Sequence, residues 1–246
     1  MRTGSLYSMT RVEMKLFLRE PAAVFFTLAF PTLALLLFGS LFGGYEVPGS
    51  NLRSIDLLTP GYTAMVIGTV AIIGLPTTIA SYRQNGVLRR LRATPIKPQE
   101  ILGAHVLVNL AATLLGIALL FVVGFFVFDL RMPGDPISVL ATIVLASLSF
   151  FAFGFALSSL MPSVRVASAV GQVIFFPMIA LSGAWVPREQ FPDWLFSVSN
   201  FIPLTYAVNL VRDLWVGEGW TLLPVAILVG LMVVSVFVSS RTFRWE

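Results

Sequence analysis

The stretch Tyr82–Gly103, YRQNGVLRRLRATPIKPQEILG, decides how the whole chain is read. It is the one long, strongly charged interruption between apolar runs. Five basic residues, Arg83, Arg89, Arg90, Arg92 and Lys97, fall between positions 83 and 97 with no acid among them. Leu88 and Leu91 are three apart and would share one face of a helix. Thr94-Pro95 and Lys97-Pro98 break that helix. Pro98, with Glu100 close behind, then opens the next apolar run as helices commonly start. Two readings fit the stretch. It is either a loop that fixes membrane orientation by its charge, or a short coupling helix that docks a soluble partner.

The surrounding composition is that of a membrane protein. The 246 residues are 57% hydrophobic and 11% charged, with mean hydropathy +0.89. A soluble domain carries roughly 25% charged residues. The pI of 9.9 would suit nucleic acid. The basic residues instead cluster beside apolar runs, which fits orientation in a bilayer, and no nucleic-acid partner is expected. The chain has no cysteine, which excludes disulfides and thiolate chemistry. Residues 1–20 hold Arg2, Arg11, Glu13, Lys15, Arg19 and Glu20 and no apolar core, so no cleavable export signal is expected there.

Six apolar runs are long enough to cross a bilayer, which takes about 20 helical residues. They are 22–43, 59–80, 101–128, 137–160, 166–183 and 221–240. Pro31, Pro76 and Pro177 lie inside three of them and are expected to kink those helices. Ahead of the first run, Met9 to Glu20 can form an amphipathic helix along the membrane surface. Arg11, Lys15 and Arg19 recur every four residues on one side, with Met9, Val12 and Leu16 near the other; an ordinary basic tail is the alternative.

The basic residues also orient the runs. With both termini in the cytosol, twelve of the 16 Lys and Arg fall on the inner side. Only Arg53, Arg131, Arg188 and Arg212 fall outside, a clear positive-inside bias. No Lys, Arg, Asp or Glu remains within any of the six runs. Ion-coupled transporters and intramembrane enzymes generally place such a group in the bilayer. The polar residues left there are His105, expected to reach water near the cytosolic end and to be structural, Asn109 and Gln172. Gly39, Gly68, Gly116 and Gly171 suit close helix packing.

Residues 184–220 are too apolar for a plain loop. They hold Trp185, Trp194, Trp215 and Trp220, a density of aromatics typical of the membrane–water interface. Pro192 and Pro203 divide them into two pieces, each too short to cross. The reading is two short re-entrant or interfacial helices on the outer face. A seventh span over 195–216 is disfavoured by Arg212-Asp213 and Pro203.

The sequence has no GxxxxGK[ST] and no glycine-rich phosphate loop. Any energy for transport must come from another polypeptide. The pieces together resemble the membrane subunits of ABC-2 type ATP-binding-cassette exporters, along nearly the whole chain. The landmarks are Arg19-Glu20-Pro21 with Phe30-Pro31, and Gly86-x-Leu88-x-x-Leu91-x-x-Thr94-Pro95. A third runs from Ser182-Gly183 through Pro187 and Pro192 to Pro203-Leu204-Thr205-Tyr206, with Arg212 six residues on. This last pattern is the most specific. Where many members carry an acid before the glycine equivalent to Gly86, this chain has Gln84-Asn85. The run Leu88-Arg89-Arg90-Leu91-Arg92-Ala93-Thr94-Pro95 looks most like the drug-export branch.

The resemblance implies an all-α membrane protein: six transmembrane helices, an N-terminal interfacial helix, a cytosolic coupling helix between spans 2 and 3, and two short outer helices between spans 5 and 6. The chain would be a single transmembrane domain, 1–246, working as a pair with itself or a sister permease. Separate ABC ATPase subunits, which bind the ATP and Mg, would grip the coupling segment and the N-terminal helix; the chain itself would hold no cofactor and no metal. The second and fifth spans would line the path, which nominates Val70, Ile73, Phe175, Phe176 and Ile179. With no fixed charge in the spans, the expected cargo is amphipathic or hydrophobic, a drug, antibiotic or lipid-like compound. Export of polysaccharide or glycolipid, a secondary transporter or channel, and a membrane scaffold are the alternatives.

Overall fold

In lipid a spanning chain must satisfy its own backbone, and a helix of about 20 residues does so. The computed structural model, which describes residues 3–45, 53–87, 98–186 and 188–242, has six such helices. They are Pro21–Phe42, Ser54–Gln84, Leu102–Phe128, Pro136–Leu160, Val164–Leu181 and Leu222–Thr242, referred to below as spans 1 to 6. A further helix, Thr3–Leu18, precedes span 1. A pair of helices bent by 93°, Asp193–Ser199 and Pro203–Val216, lies between spans 5 and 6. This is the all-α membrane architecture that the apolar runs predict. The expected coupling helix, with Leu88, Arg89, Arg90, Leu91, Arg92, Thr94 and Pro95, lies outside the described residues, as does Pro187.

Span 2 is the axis of the fold. Its most apolar stretch is 78% buried, against 17% for span 6. It touches spans 1, 3, 4 and 5 and the helix Pro203–Val216. Tyr62, Met65, Ile67 and Ile72 from span 2 meet Phe150 and Phe151 of span 4 and Phe175 of span 5 in the core. Span 2 is also longer than its apolar run, and the added first turn carries a charge. Asp56 is fully buried. Its carboxylate accepts from the backbone N–H of Arg53 at 3.0 Å and of Arg131 at 3.2 Å, so it caps its own helix and anchors the loop after span 3. The predicted run begins at 59, whereas the helix begins at Ser54 and takes Asp56 into its first turn. Asp135 plays the equivalent part for span 4, accepting from the N–H groups of Ile137 and Ser138. The Ser138 hydrogen bonds hold its carboxyl below the usual carboxylate range.

Two of the three prolines expected to kink spans leave a more specific mark. Phe25–Ala29, just before Pro31, and Thr69–Gly74, just before Pro76, are π-helical turns. Phe30 donates to the Phe25 carbonyl and Leu75 to the Val70 carbonyl, five residues back. Proline has no N–H, so the carbonyl four residues earlier, Ile72 in span 2, loses its helical donor. A widened turn absorbs the mismatch. Two glycines then close on it. A Cβ on Gly171 of span 5 would lie 2.7 Å from the Ile72 carbonyl oxygen, and one on Gly154 of span 4 would collide with that of Ala71. Such approaches suit weak Cα–H···O contacts. Pro177, by contrast, sits inside an uninterrupted α-helix.

The segment after span 5 forms the expected pair of short helices. Asp193–Ser199 is peripheral, with Trp194 67% exposed. Pro203–Val216 packs inward: Leu204, Ala207, Leu210 and Val211 are fully buried, against spans 2, 4 and 6. Its alternation of apolar residues at helical spacing is a packing stripe. Gly217, with φ +87°, ends the helix in the left-handed conformation that glycine adopts readily. The chain then returns to the end of the bundle it left. Gly134 donates its N–H to the Trp215 carbonyl at 3.2 Å, and Trp220 Nε1 donates to Ser138 Oγ at 3.1 Å.

Candidate functional site

The bundle has two chemically distinct ends. At the end shared by the N-terminal helix and the termini of spans 2 and 4, basic residues dominate. Arg11, Lys15 and Arg19 are exposed on the N-terminal helix, while Glu13, Met14 and Phe17 are half-buried as that helix packs along span 3. Val12 and Leu16 are 56% and 48% exposed. They flank the basic stripe on the outward side rather than facing away from it, so the expected division into opposite faces is corrected. Cations and apolar side chains share one outward surface, the arrangement that suits an interfacial helix on anionic lipid.

Beneath that surface lies a polar cluster that composition alone does not reveal. Tyr82, near the end of span 2, donates its hydroxyl to Glu13 Oε2 at 2.7 Å. His105 Nδ1, near the start of span 3, is 3.8 Å from the same oxygen. The Tyr82 and His105 rings lie 5.3 Å apart. His105 is only 3% exposed, so it does not reach water as its position suggested. Its Nε2 is buried and finds no hydrogen-bond partner among the described residues. The next residue, Arg83, points elsewhere. It donates to the Met161 carbonyl at 2.9 Å and to the Ser158 carbonyl at 3.4 Å. Those groups end span 4, where carbonyls lack helical partners and a cation is favoured. Three residues later, Gly86 has φ +66°, a conformation easy for glycine.

The opposite end carries the aromatic segment. Ser182 is buried and donates to the Ile179 carbonyl at 2.9 Å. Gly183 has φ +84°, and a Cβ there would meet the Arg188 side chain at 2.7 Å. Arg188 lies over the Phe196 ring, 4.4 Å from its centroid. It donates to Ser199 Oγ at 2.8 Å and Asn200 Oδ1 at 2.5 Å. Pro203 opens the second helix of the bent pair. Thr205 Oγ1 then donates to the Ser199 carbonyl at 2.8 Å, and the Tyr206 hydroxyl to the Asn200 carbonyl at 2.7 Å. Arg212 lines a small cleft with Ser182, Gly183 and Arg188. The structure thus gathers Ser182, Gly183, Pro203, Thr205, Tyr206 and Arg212 around one corner. Their hydrogen bonds set the bend of the pair. Arg188, Ser199 and Asn200 belong to the same corner; the sequence showed Arg188 only as one of the outer basic residues and carried no signal for Ser199 and Asn200.

The five residues nominated for a path divide. Val70, Phe175 and Ile179 are buried in this chain's own core. The Phe175 ring fills the space left by Gly68, whose Cβ would lie 2.7 Å away. These three therefore do not line a surface in this structure. Ile73 is half-buried, and Phe176 is 45% exposed. With Val173, 72% exposed, Phe176 marks the outward stripe of span 5. Gln172 stands in the same stripe and donates to Ser168 Oγ at 3.1 Å. Among the described residues no group of three His, Cys, Asp or Glu could hold a metal ion.

Residues 4–216 match the family model described as ABC-2 type transporter. Among curated proteins, the chain is 24% identical over 233 residues to "Putative transport permease YvfS" of Bacillus subtilis (strain 168), covering 94% of each. It is 23% identical over 168 residues to "Probable multidrug ABC transporter permease YbhR" of Escherichia coli (strain K12), covering 68% of this chain and 46% of that one. It is 27% identical over 168 residues to "ABC transporter G family member 20" of Dictyostelium discoideum, 67% of this chain. The chain spans 22% of the length of that last protein.

Proposed function

The chain belongs to the ABC-2 type transporter family, and from that premise we propose that it is the permease subunit of an exporter for amphipathic or hydrophobic compounds. The family's membrane subunits lack an ATPase domain and work with ATPase subunits. In this reading ATP and Mg are bound by those partners, and two permease chains, two copies or one copy and a sister, meet along span 5. The observation that carries it is the outward stripe of span 5. Val173 and Phe176 are apolar and aromatic, Gln172 adds a neutral polar group, and no charge lies between Arg165 and Ser182. A stripe of that kind suits drug-sized greasy ligands and offers no counter-charge to a strongly charged cargo. A mid-span amide facing lipid is also costly, and a second copy would cover it. The likeness to a protein named as a probable multidrug permease supports the same choice.

We assign the basic end to the cytosol of a cell-membrane protein, because with both termini inside, twelve of the 16 Lys and Arg in the sequence belong to inner segments. Coupling to the ATPase is assigned to Gly86, Leu88, Arg89, Arg90, Leu91, Arg92, Thr94 and Pro95. An apolar side chain buried in a docking face contributes roughly 1.5–3 kcal/mol. Leu88→Asp and Leu91→Asp should therefore each release the ATPase from the purified complex while the permease stays inserted. Co-purification that survives both changes would reject this docking face. Drug transport is tested by reconstituting the complex and measuring ATP hydrolysis against a panel of hydrophobic cations and neutral drugs. Stimulation by the panel that changes its compound profile in Phe176→Ala is expected. Stimulation by an anionic polysaccharide alone would reject the cargo class.

Orientation has its own test in this cysteine-free chain. Cysteines at Gln190 and at Glu218, on either side of the bent pair, should both react with an impermeant thiol reagent added to intact cells. A cysteine at Arg19 should react only after the membrane is opened. Labelling at only one of the two flanking sites would indicate an additional crossing.

A further inference from the structure

We infer that Tyr82 and Arg83 divide movement of the coupling segment between two different parts of the bundle, as positioning residues for transport. The inference rests on the proposed docking of the ATPase at residues 86–95. Force applied there reaches the membrane through the two spans that the segment joins, and the end of span 2 lies immediately before it in the chain. At that point two consecutive side chains grip two different partners. Consecutive helical residues point about 100° apart, so one backbone segment can hold two neighbours at once. Tyr82 holds Glu13 of the N-terminal helix at 2.7 Å, with His105 of span 3 against the same carboxylate at 3.8 Å. Arg83 holds the Met161 and Ser158 carbonyls at the end of span 4, at 2.9 and 3.4 Å. Both grips are directional and involve a charged group, which makes them stronger than ordinary hydrogen bonds. The first is buried as well: Glu13 and His105 side chains are 11% and 4% exposed. The first grip leads to the interfacial helix and, through it, span 1. The second leads to span 4, whose end is itself tied to span 6 by the Ser159–Thr242 hydroxyl contact at 2.6 Å.

Packing alone would make every part of the bundle respond together. A divided linkage makes a different claim, that each branch can be disconnected singly. The test uses the full permease–ATPase complex in nanodiscs. Spin labels go on cysteines introduced at exposed positions: Lys15 on the N-terminal helix, Leu160 at the end of span 4, and Phe201 at the far end as reference. The labelled chain is diluted with unlabelled chain, and the Lys15–Phe201 and Leu160–Phe201 distances are measured before and after trapping with ATP, Mg and vanadate. Both distances are expected to shift in the otherwise unmodified chain. Tyr82→Phe, which keeps the ring and removes the hydroxyl bond, should abolish the Lys15 shift and keep the Leu160 shift. Arg83→Gln should do the reverse. Arg83→Lys, which keeps the charge but cannot reach both carbonyls with one fork, should weaken the Leu160 shift alone and guards against a folding defect in Arg83→Gln. Equal loss of both shifts in every variant, or retention of both, overturns the division. No shift in the unmodified complex overturns the ATPase reading on which it stands.

Discussion

Gly154→Leu is expected to yield no folded permease. The Cα of Gly154 sits against the Ala71 carbonyl oxygen, and a Cβ at that position would overlap it. The obstacle is backbone on backbone, so no rotamer change relieves it. Spans 2 and 4 would have to move apart at the centre of the bundle, where interiors are packed as densely as organic crystals. Even Gly154→Ala should cost about 3 kcal/mol, the upper part of the usual range for overpacking. The comparison is Gly230→Ala in span 6, where no heavy atom of the described residues lies within 4 Å of the added carbon. There alanine should be neutral, or stabilising by up to about 1 kcal/mol through helix propensity. Thermal unfolding in detergent, followed by light scattering, separates the two. A Gly154→Leu protein that melts with the unmodified chain would mean that spans 2 and 4 do not cross here.

Phe175→Ala should be the next most damaging change. Phe175 is 2% exposed, and its ring occupies the notch over Gly68. Truncation leaves a cavity between spans 2 and 5 and removes the dispersion contacts that lined it. In lipid the water-transfer part of the usual penalty is largely missing. What remains is the cavity part, about 3 kcal/mol, the lower part of the range for buried Phe→Ala. Phe176→Ala, one residue on and 45% exposed, should leave the melting temperature nearly unchanged and act on drug stimulation instead. If the two variants exchange these behaviours, the outward stripe of span 5 has been assigned to the wrong face.

The spans were legible because a bilayer imposes a length and a composition on every crossing, and both are properties of a window of sequence. The bent pair was legible for a related reason. Pro192 and Pro203 are local breaks, and Trp194 and Trp220 crowd the segment beyond what a loop needs. What escaped the sequence depends on single partners brought together from far apart. Glu13 read as one more charge in a basic tail, and Tyr82 as the border of a span. Only the fold shows that they meet beside His105. The capping role of Asp56 was not legible because its two N–H donors, from Arg53 and Arg131, lie on separate stretches of chain. Gly171 was recognised as a packing glycine and Gly154 was not, although they have the same role, because residue type alone does not say which glycines face a neighbour. Phe175 and Phe176 are indistinguishable as letters, and a helix turns one inward and the next outward.

The widened turn at Thr69–Gly74 also changes what counts as a tolerable alteration of length. It takes up one more residue than an α-helix would over the same rise. Losing any one of its six residues would leave a span still long and apolar enough to cross, with a regular helix in place of the bulge. By hydropathy such a deletion would look silent. Because the extra residue of the bulge adds almost no rise or rotation, closing it into α-helix would leave Tyr82 and Arg83 facing Glu13 and the end of span 4 much as before. Losing a residue from the regular helix on either side would instead rotate everything downstream by about 100°, so outside the bulge an indel in span 2 is a change of aim, and inside it one residue is spare.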